Sequence, residues 1–502
     1  MLFFYNLQGC SKPKIGILTL FEALKKGGLG IFLFRETPTG IHILALISQA
    51  HDLPKPVICA TLESTSFGSP FTKFEGLMIQ LPLLRGPHLP SVYRYGVLFK
   101  HLPELPIVRV PGPGRKPYDP NLLLRALVYR CLRQIPTLVE LVFELGNNPC
   151  LVECLGLDPL KSLPSIERFS RFLRRTDNAA LQAVRLDLAR ELITAGVITG
   201  TTIALDSCSV VAPLHENNLK TRITRARFDK DVPPKGDPEA GVGVRIHFPG
   251  TAQKEATYFW GYRNHTISDA ESELTLWEET HPANVSEVRR AIPMLQAVKE
   301  LKIPITSVTA DSEYDVETIL NYIVNELHAE PMVAHNPRNK QNTAYSIRGG
   351  EVYCSANLPM AHRGKVTSKR KGLAYRQYGC PIHWLKEFRR QFLLCPAGHP
   401  KFLEQKGCNV LFRLTPSVRS QIPYGTDRFE RAYRKRTAIE RIYSRLLTIT
   451  MQHPTVRGLR ANKNHCTIAH IATLLVAVAA ERMGQRDKVR WIKSFVPNFL
   501  KT

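Results

Sequence analysis

The sequence predicts an α/β protein in which a mixed sheet with flanking helices follows an N-terminal helical domain. Two patterns predict this fold class. Apolar residues recur at helical spacing from about residue 119 to residue 200, and from residue 201 β-rich segments come first in a run and then alternate with helices. The stretch 340–415 is rich in Gly, Pro, Cys and basic residues and interrupts this order, so we interpret it as an inserted β-rich module.

Changes in composition divide the chain into six segments. The Pro- and Gly-rich stretch 108–120 marks the first boundary, because proline fixes φ and removes a hydrogen-bond donor. No sustained period precedes it, and we assign that part no function. The predicted segments are an N-terminal extension (1–112), the helical domain (113–200), the first part of the sheet domain (201–339), the insertion (340–415), the second part of the sheet domain (416–485) and a basic tail (486–502).

The helical domain begins with a capping signal, Asp119 followed by Pro120, and its first helix continues through Leu132. Further helices are predicted over 136–145, 164–175 and 179–194. In the sheet domain, β-branched residues and alternation predict strands over 201–211, 256–267, 273–280, 305–310 and 331–335. Helices are predicted over 286–301, 315–328 with Asp315 as cap, 427–447 and 466–483.

The composition indicates a folded protein that binds a polyanion. The chain carries 68 Lys+Arg against 43 Asp+Glu, a formal charge of +25, while 44% hydrophobic residues exclude a wholly disordered basic chain. Nucleic acid and anionic lipid are the common polyanions. A membrane-spanning helix needs about 18 consecutive apolar residues, and the sequence contains no such run. The N-terminus does not resemble a secretory signal. We therefore expect a soluble, cytoplasmic protein that is associated with DNA and has mostly reduced cysteines.

Three carboxylates are candidates for metal-dependent phosphodiester chemistry, because divalent metal in basic surroundings needs oxygen ligands. Asp206 lies in the middle of an apolar strand. Asp311 follows a buried strand, at the carboxyl end where α/β sheets bind ligands. Glu440 lies on a helix otherwise rich in basic residues.

Each candidate also has a structural interpretation. Asp206 could face solvent on an edge strand, and Asp311 could be a turn or cap residue with Glu313 and Asp315 as rivals. Glu440 could form an ordinary i,i+4 pair with a basic residue one turn earlier. The residues alone leave these alternatives open.

The ordered set of motifs resembles the DDE transposases of bacterial insertion sequences. Asp206, Asp311 in ADSEYD and the Y-x-x-R-x-x-x-E pattern of YRKRTAIE (433–440) carry the resemblance. GRKPYDPNLLLRAL, FSRFLRR, WGYRNH before HPANVSE, and VRGLRANKNHCTIAH extend it over about residues 108–484. The resemblance implies a ribonuclease-H-like catalytic domain with an insertion before the catalytic glutamate. It also implies cleavage of DNA at the element ends and joining of the 3′-hydroxyl to target DNA.

The resemblance further implies ligands and partners. Asp206, Asp311 and Glu440 would bind two Mg²⁺ or Mn²⁺ ions, while Tyr433 and Arg436 would support DNA or orient the glutamate. The partner would be double-stranded DNA, both the terminal inverted repeats and the target, bound by a homodimer. The helical domain would then serve end recognition or dimer contacts.

Nine Lys/Arg against three acids between residues 413 and 445 predict a DNA-binding surface around Glu440. The basic residues next to the motif are expected to contact DNA: Arg434, Lys435, Arg441 and Arg445. His265 lies on a strand near the site, where it could contact a phosphate or serve as a hydrogen-bonded structural histidine.

One position departs from the family pattern. The family usually has a lysine seven residues after the glutamate, and here that residue is Leu447. Arg445 could substitute for it, or this copy could be impaired. Two alternatives therefore remain: a domesticated transposase that acts as a DNA-binding protein, and a ribonuclease-H-like nuclease without strand transfer.

The insertion has two features of its own. Cys354, Cys380, Cys395 and Cys408, separated by 25, 14 and 12 residues, could form a tetrahedral zinc site, or they could be reduced core residues, since no C-x-x-C pair is present. Residues 361–406 contain eleven Lys/Arg, two acids and interleaved aromatic residues. Such a pattern suits nucleic acid, with a solvated charged face as the alternative.

Overall fold

The structure is a computed structural model, and it describes residues 31–37, 40–46, 92–107, 118–223, 226–247, 255–336, 345–368, 372–400, 402–404, 408–415, 417–452 and 454–492. The chain forms two compact units, Met1–Gly86 and Pro87–Thr502. In the first unit, β1 (Ile31–Thr37) and β2 (Gly40–Leu46) form an antiparallel hairpin. Most of the predicted boundary 108–120 and of the basic tail lies outside the described residues.

The second unit begins with helices that the sequence largely predicts. Asp119 accepts a hydrogen bond from the Asn121 N–H and caps the second helix, which has Pro120 in its first turn. Thr137 and Glu140 form a reciprocal capping box at the start of the third. The helices are α1 (Tyr93–Phe99), α2 (Pro120–Leu132), α3 (Leu138–Asn147), α4 (Pro149–Cys154), α5 (Ile166–Arg175) and α6 (Asn178–Thr194).

A six-stranded mixed sheet follows. Its strands are β3 (Thr202–Val211), β4 (Gly241–His247), β5 (Glu255–Asp269), β6 (Leu274–Pro282), β7 (Ser307–Ala310) and β8 (Glu330–Val333). The strand order is β4-β5-β3-β7-β8, with β6 also paired to β5. Strands β3, β7 and β8 are parallel, whereas β5 runs antiparallel to β3, β4 and β6. The helices α7 (Glu287–Lys299) and α8 (Glu317–Asn325) alternate with the later strands.

The insertion is built of short strands and two short helices. A two-stranded sheet joins β9 (Tyr345–Arg348) and β10 (Glu351–Cys354). A three-stranded antiparallel sheet has the order β11-β12-β13. Its elements are β11 (Ala361–Thr367), β12 (Ala374–Gly379), α9 (Pro381–Trp384), α10 (Lys386–Gln391) and β13 (Asn409–Arg413). Five of the described elements between Tyr345 and Arg413 are therefore strands.

The last part of the chain returns to the main core. It contains α11 (Asp427–Arg434), α12 (Thr437–Leu446) and α13 (Leu459–Arg482). Helix α13 packs against α6 and β6, and one continuous core extends from Tyr95 to Ile492. By length and composition α13 could span a membrane, but 94% of its most apolar window is buried inside the protein. It is therefore the central helix of this core.

The structure corrects three sequence expectations. Strand β4 was not predicted. The helix predicted over 427–447 is broken at Lys435–Arg436, where the backbone makes i→i−3 bonds instead of the longer helical ones. No glycine or proline marks this break, so the residues on both sides read as one helix. Asp315 does not cap α8; its carboxylate accepts hydrogen bonds from the Arg419 side chain and the Asn336 N–H.

Candidate active site

Two of the predicted carboxylates lie at neighbouring positions of adjacent strands. Strands β3 and β7 are parallel, and Leu205 pairs with Ala310 in their register. Asp206 is the next residue in the middle of β3, and Asp311 is the residue that follows the end of β7. The side chain of Asp206 is 19% exposed, which contradicts its solvent-facing alternative.

Glu287 is a third carboxylate at this point, and the sequence analysis did not identify it. It is the first residue of α7, and it offers a ligand oxygen within 4.8 Å of those of Asp206 and Asp311. The Ser207 hydroxyl donates to it at 2.6 Å, and Arg263 forms an ion pair with it. An acid in the first turn of a helix is common, because it complements the helix dipole. Its position in the sequence therefore gave no distinguishing signal.

Burial and mutual repulsion raise the pKa values of this carboxylate group. The pKa of Asp206 rises to about 8, first because of burial and then because of Glu287 and Asp311. Burial also raises the pKa values of Asp311 and Glu287. Three crowded oxygen donors whose charges repel one another suit a hard divalent cation such as Mg²⁺. The residues present therefore fit the metal that the resemblance implies.

Glu440 lies next to this group but outside it, and its side chain is 52% exposed. The Arg436 side chain lies between Glu440 and this carboxylate group. Its guanidinium is 2.6 Å from the Glu440 carboxylate and 3.8 Å from the Asp206 carboxylate. The predicted i,i+4 pair is thus present, and the same arginine also reaches the strand carboxylate.

The helix that carries Glu440 is anchored to the strand that carries Asp206. The Tyr443 hydroxyl donates to the backbone oxygen of Asp206 at 2.7 Å. On α11, Tyr433 stacks on Phe429 with ring centroids 5.5 Å apart, and the Arg436 guanidinium lies 5.6 Å from its ring centroid. The tyrosine and arginine of the motif therefore contact each other across the helix break.

The basic residues near the motif already hold acidic partners. Arg441 and Arg445 both bind the carboxylate of Glu273, which Arg490 also contacts. A second group of pairs is Lys435 with Glu271 and Arg434 with Glu430. The side chain of Arg445 is 21% exposed, and its guanidinium also donates to the backbone oxygen of Glu273. Leu447 packs against the hydrophobic core and begins a short π-helical segment.

His265 lies inside the protein. It is 1% exposed, and neither ring nitrogen has a hydrogen-bond partner among the described residues. Burial lowers its pKa to about 3, with further contributions from His281 and Arg263. In this position on β5 the imidazole is neutral, and its ring centroid lies 5.8 Å from that of His281 on β6.

Comparison with known proteins identifies two transposase models. A transposase DDE domain matches residues 240–476, and a transposase domain of the DUF772 type matches residues 100–175. The first match includes Asp311 and Glu440 and begins after Asp206. No curated protein shows significant similarity to the chain.

Among solved structures, the chain is similar to a piggyBac transposase in a synaptic complex with hairpin DNA. The identity is 9%, the similarity covers 83% of each chain and the TM-score is 0.30, values too low to support an argument about fold or function. The assignment rests on the two domain models, which together match more than half of the sequence in the expected order. The chain belongs to the DDE transposases of the insertion-sequence type.

Proposed function

We propose that this transposase cleaves DNA at the ends of its insertion sequence and joins the 3′-hydroxyl to target DNA by metal-dependent phosphoryl transfer. Asp206, Asp311 and Glu440 would hold two Mg²⁺ or Mn²⁺ ions, with Glu287 beside them. The observation that carries the proposal is the proximity of Asp206 in the middle of β3 to Asp311 at the end of β7, with Glu440 tied to Asp206 through Arg436.

The sheet topology supports a ribonuclease-H-like catalytic domain. Within the larger sheet, the order β6-β5-β3-β7-β8 combines three antiparallel strands with two parallel strands on one side. Asp206 lies on the central strand of this arrangement. Asp311 follows the neighbouring parallel strand, where the strand ends leave a crevice for ligands.

In the proposed reaction, the side chains of the protein would hold the carboxylates in position for the metal ions and the phosphate. When bound, the divalent ions supply charge neutralisation at the phosphate and activation of the attacking water or 3′-hydroxyl. Arg436 holds Glu440 close to Asp206 and offsets the repulsion between their carboxylates. Tyr443 fixes the distance between α12 and β3. Catalysis then depends on positioning and electrostatic stabilisation, as expected for an in-line displacement at phosphorus.

The proposed partner is double-stranded DNA, bound by a homodimer in the cytoplasm. The insertion offers a surface for it. Lys365 and Arg376 are exposed and stand opposite each other on β11 and β12. Like charges in a directly opposed pair destabilise a sheet unless an anion compensates them, and DNA phosphates are such anions.

The Glu440→Gln variant tests the proposed chemistry. We expect it to bind element-end DNA with nearly unchanged affinity and to lose Mg²⁺-dependent cleavage by at least about a hundredfold, because an amide does not replace a charged ligand. The matched control is Glu430→Gln, an exposed glutamate on α11. Near-normal nicking by Glu440→Gln would rule out the assigned role of this residue.

The same assay separates the two alternatives. A DNA-binding protein that has lost its activity would bind the element ends and leave them intact at all metal concentrations. A nuclease without strand transfer would cut the ends but would not join a pre-cleaved 3′-end to a target plasmid. Joined products with wild-type protein, and none with Glu440→Gln, are expected for the transposase.

A further inference from the structure

We propose that the insertion binds one structural zinc ion through the thiolates of Cys354, Cys380, Cys395 and Cys408. The sequence left this site undecided because the four cysteines are far apart and form no C-x-x-C pair. In the structure, the strands and turns of the insertion supply the pairing that the sequence does not show. All four thiols are free.

Cys380 and Cys408 are neighbours across a strand pair. Strands β12 and β13 are antiparallel, and Gly379 is the register partner of Asn409. Cys380 directly follows Gly379, and Cys408 directly precedes Asn409, so the two cysteines occupy the next opposed position of this ladder. Both are buried at the end of the three-stranded sheet.

Cys354 and Cys395 each begin a turn, and the two turns have the same form. The Asn357 N–H donates to the Cys354 carbonyl at 2.9 Å, and the Gly398 N–H donates to the Cys395 carbonyl at 2.9 Å. The fourth residue of each turn has a positive φ, +57° for Asn357 and +62° for Gly398. Two separate segments of the insertion thus present a cysteine at the start of the same tight turn.

Packing in the insertion brings Cys354 and Cys395 close to Cys408 and Cys380, respectively. Cys354 and Cys408 belong to one small buried cluster, and Cys380 belongs to a second, against which Cys395 packs. Leu358 contacts both clusters. This shared neighbour places the two buried cysteine-containing clusters side by side.

A zinc ion would complete this arrangement. Among the described residues, three or more possible metal ligands lie within 4.8 Å of one another only at Asp206, Glu287 and Asp311. The four cysteine sulfurs therefore stand farther apart than this distance. Zinc bonds of about 2.3 Å to four sulfurs would draw them to about 3.8 Å from one another. The two buried clusters are small, and modules with such small cores commonly need a metal or a disulfide to fold stably.

The test is metal analysis of the full chain, purified under reducing conditions and dialysed against metal-free buffer. We expect about one zinc per chain and no comparable amount of iron. The double variant Cys380→Ser/Cys408→Ser should lose this zinc, whereas Cys150→Ser/Cys154→Ser, a pair on α4, should retain it. Wild-type protein without zinc, or zinc retained by the first variant, would overturn the proposal.

A second measurement covers the case in which the double variant does not fold. Wild-type protein with its zinc replaced by Co²⁺ should show the visible absorption of tetrahedral thiolate coordination, and its absence would also overturn the proposal. The Asp206→Asn variant should keep the full zinc content, because the carboxylate site is separate. Loss of DNA cleavage with zinc intact would therefore bear on the proposed catalytic residues and not on this site.

Discussion

At the scale of single residues, the active site combines carboxylates that repel one another with arginines that offset the repulsion. Asp206 has a pKa of about 8 because it is buried beside Glu287 and Asp311. Arg263 pairs with Glu287, and Arg436 connects Asp206 with Glu440. These two arginines thus offset part of the repulsion that burial strengthens among Glu287, Asp206 and Glu440.

Glu287 should affect the metal requirement of the proposed reaction. The Glu287→Gln variant keeps an oxygen that accepts the Ser207 hydrogen bond but loses the charge that the cation needs. We expect the Mg²⁺ concentration for half-maximal cleavage to rise about tenfold, the lower end of the effect of residues that support metal ligands. A Mg²⁺ titration of cleavage measures this. Glu300→Gln, an exposed residue after the same helix, serves as control, and an unchanged Mg²⁺ requirement would exclude a role for Glu287.

At the scale of elements, the position of α7 decides whether Glu287 reaches the strand ends. Glu279 on β6 anchors this helix by accepting a hydrogen bond from Arg290, and it accepts another from His281 of its own strand. Burial alone would raise the pKa of Glu279, but these hydrogen bonds and one from Trp277 outweigh it and lower the pKa to about 2. The contact between strand and helix is therefore a buried, charge-assisted one.

The Glu279→Gln variant should lose stability in a pH-dependent way. The folded pKa of about 2 lies below the unfolded value, so the stabilisation is fully present above about pH 4.5 and disappears as pH falls toward 2. The shift corresponds to about 3 kcal/mol at neutral pH as an upper value. Urea unfolding of wild type and variant should show a difference of about 1–3 kcal/mol at pH 7 that shrinks at about pH 3. An equal difference at both pH values would contradict this assignment.

At the scale of the whole molecule, more than half of the charge of +25 lies in two stretches of the sequence. Residues 361–406 and 413–445 contain twenty Lys/Arg and five acids, and thus carry +15 of the excess. The structure divides the two blocks. Several arginines of the second block are paired with glutamates, whereas Lys365 and Arg376 of the insertion are exposed and opposed. The insertion therefore offers more charge for DNA than the catalytic helices do.

The affinity for DNA should fall steeply with salt, and the insertion should account for part of the slope. Each phosphate contact contributes about 0.9 to the slope of log K against log salt concentration. Arg390 on α10 is also exposed. We expect the triple variant Lys365→Ala/Arg376→Ala/Arg390→Ala to reduce the slope by about 2–3. Binding titrations between low and moderate salt measure it.

The control for this experiment removes the same charge elsewhere. Lys299, Arg482 and Arg486 are exposed and paired with nearby acids. Replacing all three with alanine should leave the slope unchanged. A flat salt response of the wild type, or equal effects of the two triple variants, would refute a DNA-binding role of the insertion.

Local patterns in the sequence predicted most elements of the second unit. Alternation located β3 and β5, the Asp119–Pro120 pair located the start of α2, and the end of a buried strand located Asp311. The position of Asp311 after a buried strand was predictable, because the carboxyl ends of strands in α/β sheets bind ligands. The order of motifs was enough to recognise the family.

Only the tertiary structure determined which residues, distant in the sequence, lie next to the predicted site residues. It brought Glu287 to the two aspartates, broke the predicted helix at Arg436 so that this arginine reaches Asp206, and set Cys380 opposite Cys408. It also paired Arg445 with a glutamate and buried His265. The physical reason is that periodicity reports the face on which a side chain lies, whereas its partner depends on strand register and packing across the core.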